Sequence, residues 1–148
     1  MAEDVDELHA IDRVTESLYA SVCFEKGGVP DLEQLRRLFI PEGILINNSD
    51  DSPAIMSVDQ FIEAIHLQIS NGSLEALQEA EIAGKTEIFS RIAHRLSSYE
   101  ATIGPDPSHI LARGVNSIQF IKASGVWRIT ALVWNDETDL QRIPKRHL

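Results

Sequence analysis

The 148-residue chain has one cysteine, Cys23, so no disulfide can form within it; its place in a helical pattern reads as a buried thiol. No apolar run approaches the roughly 20 residues that a membrane-spanning helix requires. The opening MAEDVDELHA has neither the basic start nor the apolar centre of a signal peptide, so no membrane partner and a cytoplasmic location are expected. Basic residues are scarce. The 13 Lys and Arg against 23 Asp and Glu leave a net charge of −10, without the cationic footprint that nucleic-acid binding requires. The five histidines form no HxH or HExxH and have no acidic partner at ligand spacing, which argues against a metal site. GxGxxG, GxxxxGK(S/T) and GxSxG are all missing, so neither a nucleotide cradle nor a nucleophile elbow is expected, and no cofactor.

What remains has the composition of a globular chain, 43% hydrophobic and 24% charged. A chain of this length buries roughly 70% of its unfolded surface, enough for a full core. No repeat, low-complexity segment or internal linker divides it. Residues 1–148 read as one domain, with 138–148 a tail that ends in the basic cluster RIPKRHL, a solvated or loosely docked terminus.

The strongest pattern lies between Ala112 and Glu137. Two runs rich in β-branched and aromatic residues meet at Ser124-Gly125, a dipeptide that tolerates the positive φ of a two-residue hairpin turn. With the turn there, Ala123 pairs with Val126, Lys122 with Trp127, Phe120 with Ile129, Ile118 with Ala131 and Asn116 with Val133. That register predicts an apolar face of Ile118, Phe120, Trp127, Ile129, Ala131 and Val133, with Asn116 its interior polar residue. The opposite face carries Val115, Ile121, Leu132 and Trp134 among Ser117, Gln119, Arg128 and Thr130.

Upstream, Leu8, Ile11, Val14, Leu18 and Val22 recur at three- and four-residue spacing, predicting an amphipathic helix from Asp6 to Phe24 that Gly27-Gly28 and Pro30 stop. Tyr19 sits at the border of its apolar stripe. Asp31 with Gln34 caps a short second helix, Pro41-Glu42-Gly43 ends it, and Ile44 to Asn47 reads as a buried strand before a loop over 48–53. Ser57 with Gln60 opens a third helix, with Phe61, Ile62, Ile65 and Ile69 inward and His66 at the edge of that face. Gly84, Ser97-Ser98 and a Thr-rich end favour strands over a helix in the middle, from about Ala80 to Lys85 and Phe89 to Thr102. In the second of these, Ile92, His94, Leu96 and Ser98 share one face, and Ala93, Arg95, Ser97 and Tyr99 the other. A break at Gly104 to Pro107 precedes the hairpin. Three helices followed by antiparallel strands predict an α+β fold with the helices on one face of a curved sheet.

This order resembles that of the nuclear transport factor 2-like superfamily, of the SnoaL-like or ketosteroid isomerase-like kind. The similarity spans essentially the whole chain and is carried by Leu38-Phe39-Ile40-Pro41-Glu42-Gly43, Ile92-Ala93, Ser98-Tyr99-Glu100, Arg113-Gly114, Trp127-Arg128-Ile129 and Trp134. The resemblance implies a cone-shaped roll, three N-terminal helices packed on a curved, mostly antiparallel sheet, with an apolar pocket open at one end and a homodimer formed through the outer sheet face. It identifies a fold that hosts isomerases, cyclases, dehydratases, hydrolases and plain binding proteins alike. Members similar to ketosteroid isomerase carry a catalytic carboxylate on the strand after the second helix. The matching position here falls near Asn47, and an amide cannot accept a proton at neutral pH. Tyr19 corresponds to a first-helix tyrosine that some members use, and members resembling scytalone dehydratase use pocket histidines, a role for which His66 and His94 are candidates.

Two readings of function follow. One is a small-molecule binding domain whose apolar pocket is lined by Tyr19, Asn47, His66, Asn116, Ile118, Ala131 and Val133. The other is a cofactor-free lyase or isomerase acting on a hydrophobic cyclic substrate, with Tyr19, His66 and His94 as the candidates for catalysis. Either way the expected partners are a small apolar or cyclic molecule and a second copy of the chain, met through Val115, Ile121, Leu132 and Trp134.

Overall fold

The computed structural model describes residues 2–104 and 112–148. The break expected at Gly104 to Pro107 lies, beyond Gly104, outside the described residues. Helix α1 spans Ala2–Val22, with Ile11 and Leu18 of its apolar stripe buried. Helix α2, Leu32–Leu38, starts at Asp31, whose carboxylate accepts the amide hydrogen of Gln34. Helix α3, Val58–Ser70, starts at Ser57, and both hydrogen bonds of its capping box with Gln60 are formed.

The strands are β1 (Phe39–Asn47), β2 (Ala54–Ser57), β3 (Leu77–Phe89), β4 (Ile92–Ile103), β5 (Ala112–Ala123) and β6 (Val126–Asp136). They form one curved sheet in the order β2-β1-β6-β5-β4-β3. All neighbours are antiparallel except β1 and β6, which run parallel. The fold is thus α+β, as the sequence predicts. Two details differ from expectation: β1 begins at Phe39 rather than Ile44, and β2 is an additional edge strand.

The core lies between the helices and the inner sheet face. Ile11, Leu35 and Val58 from the helices meet Leu45, Ile118, Phe120 and Ile129 from the strands. Each such large side chain contributes about 1.5–3 kcal/mol of hydrophobic stabilisation. At one end of the sheet Trp127 is 4% exposed, and its indole N–H donates to Glu7 of α1, which also pairs with Lys122.

The β5–β6 hairpin turns at Ser124-Gly125 with φ of 53° and 77°, the pair of left-handed residues that this tight connection demands. Its register follows expectation only as far as Phe120↔Ile129. Thr130 is then skipped, so that Gln119 faces Ala131, Ile118 faces Leu132, Ser117 faces Val133 and Asn116 faces Trp134. This β-bulge reverses the remainder of β6. Leu132, Trp134 and Asp136 turn inward, while Ala131 and Val133 turn outward beside Ile44 and Ile46 of β1. The expected inner position of Ala131 and Val133 and outer position of Leu132 and Trp134 are corrected accordingly.

A second bulge acts on β3. Ile82 is skipped between Glu81↔Tyr99 and Ala83↔Ser98. Gly84, Thr86 and Ile88 face inward after it, and Leu77, Glu79 and Glu81 before it, whereas strict alternation would have put Gln78 and Ala80 there. The C-terminal segment is docked rather than solvated. Ile143 is buried, and the hydroxyl of Ser98 on the outer face donates to the carbonyl of His147 at 2.6 Å.

Candidate ligand-binding cavity

Both bulges deliver their strand ends to one place. Leu77 and Glu79 of β3, Tyr99 and Ala101 of β4, Asn116 of β5 and Leu132, Trp134 and Asp136 of β6 line a cavity of about 240 Å³. Leu18, Tyr19 and Val22 of α1, Leu35 of α2, and Phe61 and Ile65 of α3 close it from the helix side. The walls are mostly apolar, and the Phe61 and Trp134 rings meet edge to face, 6.3 Å apart at 85°. Two other hollows have exposed linings, one with Phe89 and Ile92, the other with Arg36, Arg37 and Arg128. Neither contains a buried titratable group left without a partner.

Glu79 is held by its backbone. The end of α1 is stitched to β3 through paired Phe24–Leu77 hydrogen bonds of 2.9 and 3.0 Å, and the Cys23 thiol lies 3.4 Å from both the amide nitrogen and the carbonyl of Glu79. Cys23, expected as a buried thiol, is half-buried in this role. The Glu79 carboxyl faces the cavity, and no described residue hydrogen-bonds to it. Burial, reinforced by the neighbouring charge of Asp136, pushes its pKa up to about 7. Asp136 accepts a 2.5 Å hydrogen bond from the Tyr99 hydroxyl, and burial together with that bond raises the Tyr99 pKa. The loop after β1 braces this end: Ser49 Oγ accepts the Asp136 amide hydrogen, and the Asn48 amide donates to the carbonyl of Trp134.

A second polar chain runs from Asn116 away from the cavity. Asn116 Nδ2 donates to the Tyr19 hydroxyl at 2.9 Å, Tyr19 lies 2.6 Å from Ser97 Oγ, and Ser97 donates to Glu81. Glu81 in turn receives two hydrogen bonds from Arg95, which also reaches Asp12 and Thr86. Burial opposes ionisation of Glu81, but the bonds from Arg95 and Ser97 and the Arg95 charge outweigh it, so its pKa lies below the ordinary carboxylate value. An ionised Glu81 can only accept, so Ser97 spends its one hydrogen on it, and the Tyr19 hydrogen must go to Ser97. Burial raises Tyr19 to a pKa of about 12, so its phenol stays protonated at neutral pH.

Of the side chains expected at the pocket, Tyr19 and Asn116 meet in it, 2.9 Å apart. The others lie elsewhere. Asn47 spends its carbonyl on the Ser49 amide in the turn after β1. His66 is exposed on α3, and His94 is on the outer sheet face 3.6 Å from Glu87. Ile118 is fully buried in the core outside the cavity, and the bulge at Thr130 turns Ala131 and Val133 away from it. Glu79 and Asp136 are the polar groups that strict alternation does not bring to the cavity, because each lies on a strand with a bulge. The sequence groups Tyr99 with Ala93, Arg95 and Ser97 on one face of β4, and the structure shows that face to be the inner one.

No protein-family model and no curated protein matches the chain. Solved structures do match it along most of its length. A protein of unknown function from Mycobacterium tuberculosis superposes with a TM-score of 0.73 at 14% identity, over 97% of this chain and 80% of that one. A protein with a cystatin-like fold from Nostoc punctiforme gives 0.70 at 13% identity, over 91% and 93%. An NTF-2 like protein of unknown function from Silicibacter pomeroyi gives 0.64 at 16% identity, over 90% and 98%. At these identities the likeness is one of fold.

Proposed function

Starting from a nuclear transport factor 2-like fold, we propose that this chain is a small-molecule binding domain whose ligand sits in the cavity between α1, α3 and the inner sheet face. The observation that carries this reading is the Glu79 carboxyl, turned into an apolar cavity without a hydrogen-bond partner among the described residues. Glu79 is half-buried, and in a mostly apolar wall a ligand that hydrogen-bonds to its carboxyl gains more than the same contact would in water. Proton abstraction next to a carbonyl needs a base and, in addition, donors aimed at the developing oxyanion. The Tyr19 and Tyr99 hydrogens are committed to Ser97 and Asp136, which leaves an amide hydrogen of Asn116 and the indole N–H of Trp134 as the weaker neutral donors beside Glu79. That balance favours binding over enolisation.

Fluorescence of Trp134 tests the site. Titration with small cyclic compounds should give a saturable change that survives Trp127→Phe and disappears in Trp134→Phe and in Ala101→Phe, which fills the cavity. No saturable change with any cyclic compound up to millimolar concentration would sink the reading.

The near-neutral pKa of Glu79 favours a second reading, a cofactor-free isomerase or lyase in which this residue carries a proton to and from the substrate. Hydrogen–deuterium exchange at the α-carbon of cyclohexanone, followed by NMR, separates the two. Acceleration by the wild type and not by Glu79→Gln would favour the enzyme.

For assembly, a homodimer through the outer sheet face is supported by its apolar content, with Val115 and Ile121 from the expected set joined by Ile44, Ile46, Ala131 and Val133. Sedimentation of Val133→Arg should show a monomer where the wild type is a dimer; a monomeric wild type at micromolar concentration rejects the assembly.

A further inference from the structure

The hydrogen-bond inventory of the cavity is one-sided. The Tyr99 hydrogen goes to Asp136 and the Tyr19 hydrogen to Ser97, and one of the two Asn116 amide hydrogens goes to Tyr19. What these groups present to an occupant is therefore acceptor capacity: lone pairs on both phenol oxygens, the carbonyl of Asn116, the second oxygen of Asp136, and both oxygens of Glu79 when ionised. Against all of these stand the second Asn116 hydrogen, the indole N–H of Trp134 and, when present, the Glu79 proton.

Charge points the same way. Glu79 and Asp136 are acidic, and no Lys, Arg or His among the described residues lines the cavity. Among the described residues, Arg95 pairs with Glu81 and Asp12, and Arg113 lies within ion-pair distance of Glu100 and Glu137. An anionic ligand would add a third negative charge in a low-dielectric space, and a carbonyl would find few donors. The remaining walls include the rings of Tyr19, Phe61, Tyr99 and Trp134, whose faces attract a cation through their quadrupoles.

We propose that the occupant is a protonated primary amine on a compact apolar frame, its ammonium donating to Glu79 and its frame packed among the aromatic side chains. An ammonium has three donors and no acceptor, the complement of this lining. The inference rests on the reading of the cavity as a small-molecule site and adds the chemical class of the ligand.

A matched series tests it: cyclohexylmethylamine, cyclohexylmethanol and cyclohexanecarboxylate, titrated by calorimetry and by the indole N–H NMR signal of Trp134, assigned from its loss in Trp134→Phe. The amine should bind at least about tenfold more tightly than the alcohol, and the carboxylate should not bind. Glu79→Gln should remove the preference, weakening the amine by at least about tenfold and the alcohol far less, and Asp136→Asn should also weaken the amine. An alcohol or carboxylate that binds as tightly as the amine, or an amine preference intact in Glu79→Gln, overturns the assignment of the amine and leaves the cavity reading standing. If none of the three compounds perturbs Trp134, the cavity reading fails and the amine assignment with it.

Discussion

The phenol of Tyr99 lies across Gly114 on the neighbouring strand to reach Asp136 on the strand beyond. Tyr99, Gly114 and Asp136 form one cross-strand row, and a Cβ on Gly114 would run into the Tyr99 hydroxyl and the backbone carbonyl of Asn135. Gly114→Ala should therefore cost ~1–3 kcal/mol through overpacking, measured by urea unfolding. In a double-mutant cycle with Tyr99→Phe, part of that cost should vanish, because the displaced hydroxyl is already gone. Strict additivity of the two changes would show that Tyr99 and Gly114 do not share that space.

Glu79 makes stability depend on pH in the direction opposite to a salt-bridged acid. Its pKa rises from 4.5 unfolded to about 7 folded, so the folded state binds the extra proton. The associated stability is fully present below pH 4.5 and is lost as pH rises through 7. Glu79→Gln keeps the shape without the charge. Relative to wild type it should gain up to about 3 kcal/mol between pH 5 and pH 8, read from urea midpoints at the two values. A constant difference between the proteins across that range would rule out a buried, uncompensated carboxylate.

Arg95 is 8% exposed and joins α1, β3 and β4 through Asp12, Glu81 and Thr86. Arg95→Ala leaves Glu81 without its cation and should cost ~3–5 kcal/mol, whereas Asp12→Asn, at the more open end of the network, should cost under about 1 kcal/mol. Thermal denaturation at low salt and at 0.5 M salt checks both. A loss in Arg95→Ala no larger than that in Asp12→Asn would mean that the network is surface decoration.

Adjacent residues near the hairpin turn should behave very differently. Trp127 is buried against Glu7 of α1 and Arg128 is exposed on the opposite face. Trp127→Ala should cost ~3–5 kcal/mol through the cavity it opens, and Arg128→Ala within about 0.5 kcal/mol of nothing. Equal melting temperatures for the two variants would reverse the face assignment.

Local signals made most of the fold legible. Asp31, Ser57 with Gln60, and Ser124-Gly125 are short-range devices whose hydrogen bonds or dihedral angles need only neighbouring residues, and each of them forms as the sequence predicts. Alternation along β4 placed Arg95, Ser97 and Tyr99 on one face for the same reason. The cavity was less legible, because its lining depends on where alternation is interrupted. Nothing in Ile129-Thr130-Ala131 or Glu81-Ile82-Ala83 marks the skipped residue, since Thr and Ile are ordinary strand residues. Their placement is decided by pairing with distant strands, where it brings Leu132 opposite Ile118 and beside Leu45, and Glu81 within reach of Arg95. Asn47 fails for a local reason, an Asx turn that competes for its side chain.

The bulge at Thr130 means that the cavity's chemical character is encoded by strand length as much as by residue identity. Two interleaved sets of side chains occupy the same stretch of β6: Leu132, Trp134 and Asp136 in one phase, Ala131, Val133 and Asn135 in the other. The first is bulky, aromatic and acidic; the second is small and uncharged. Pairing Thr130 regularly would put the second set inside without altering a single residue, whereas deleting Thr130 would remove the bulge and keep the first set there. Among chains of this architecture, the presence or absence of a bulge at this point therefore changes the lining more than many substitutions do, and alignments that ignore it will pair the wrong side chains.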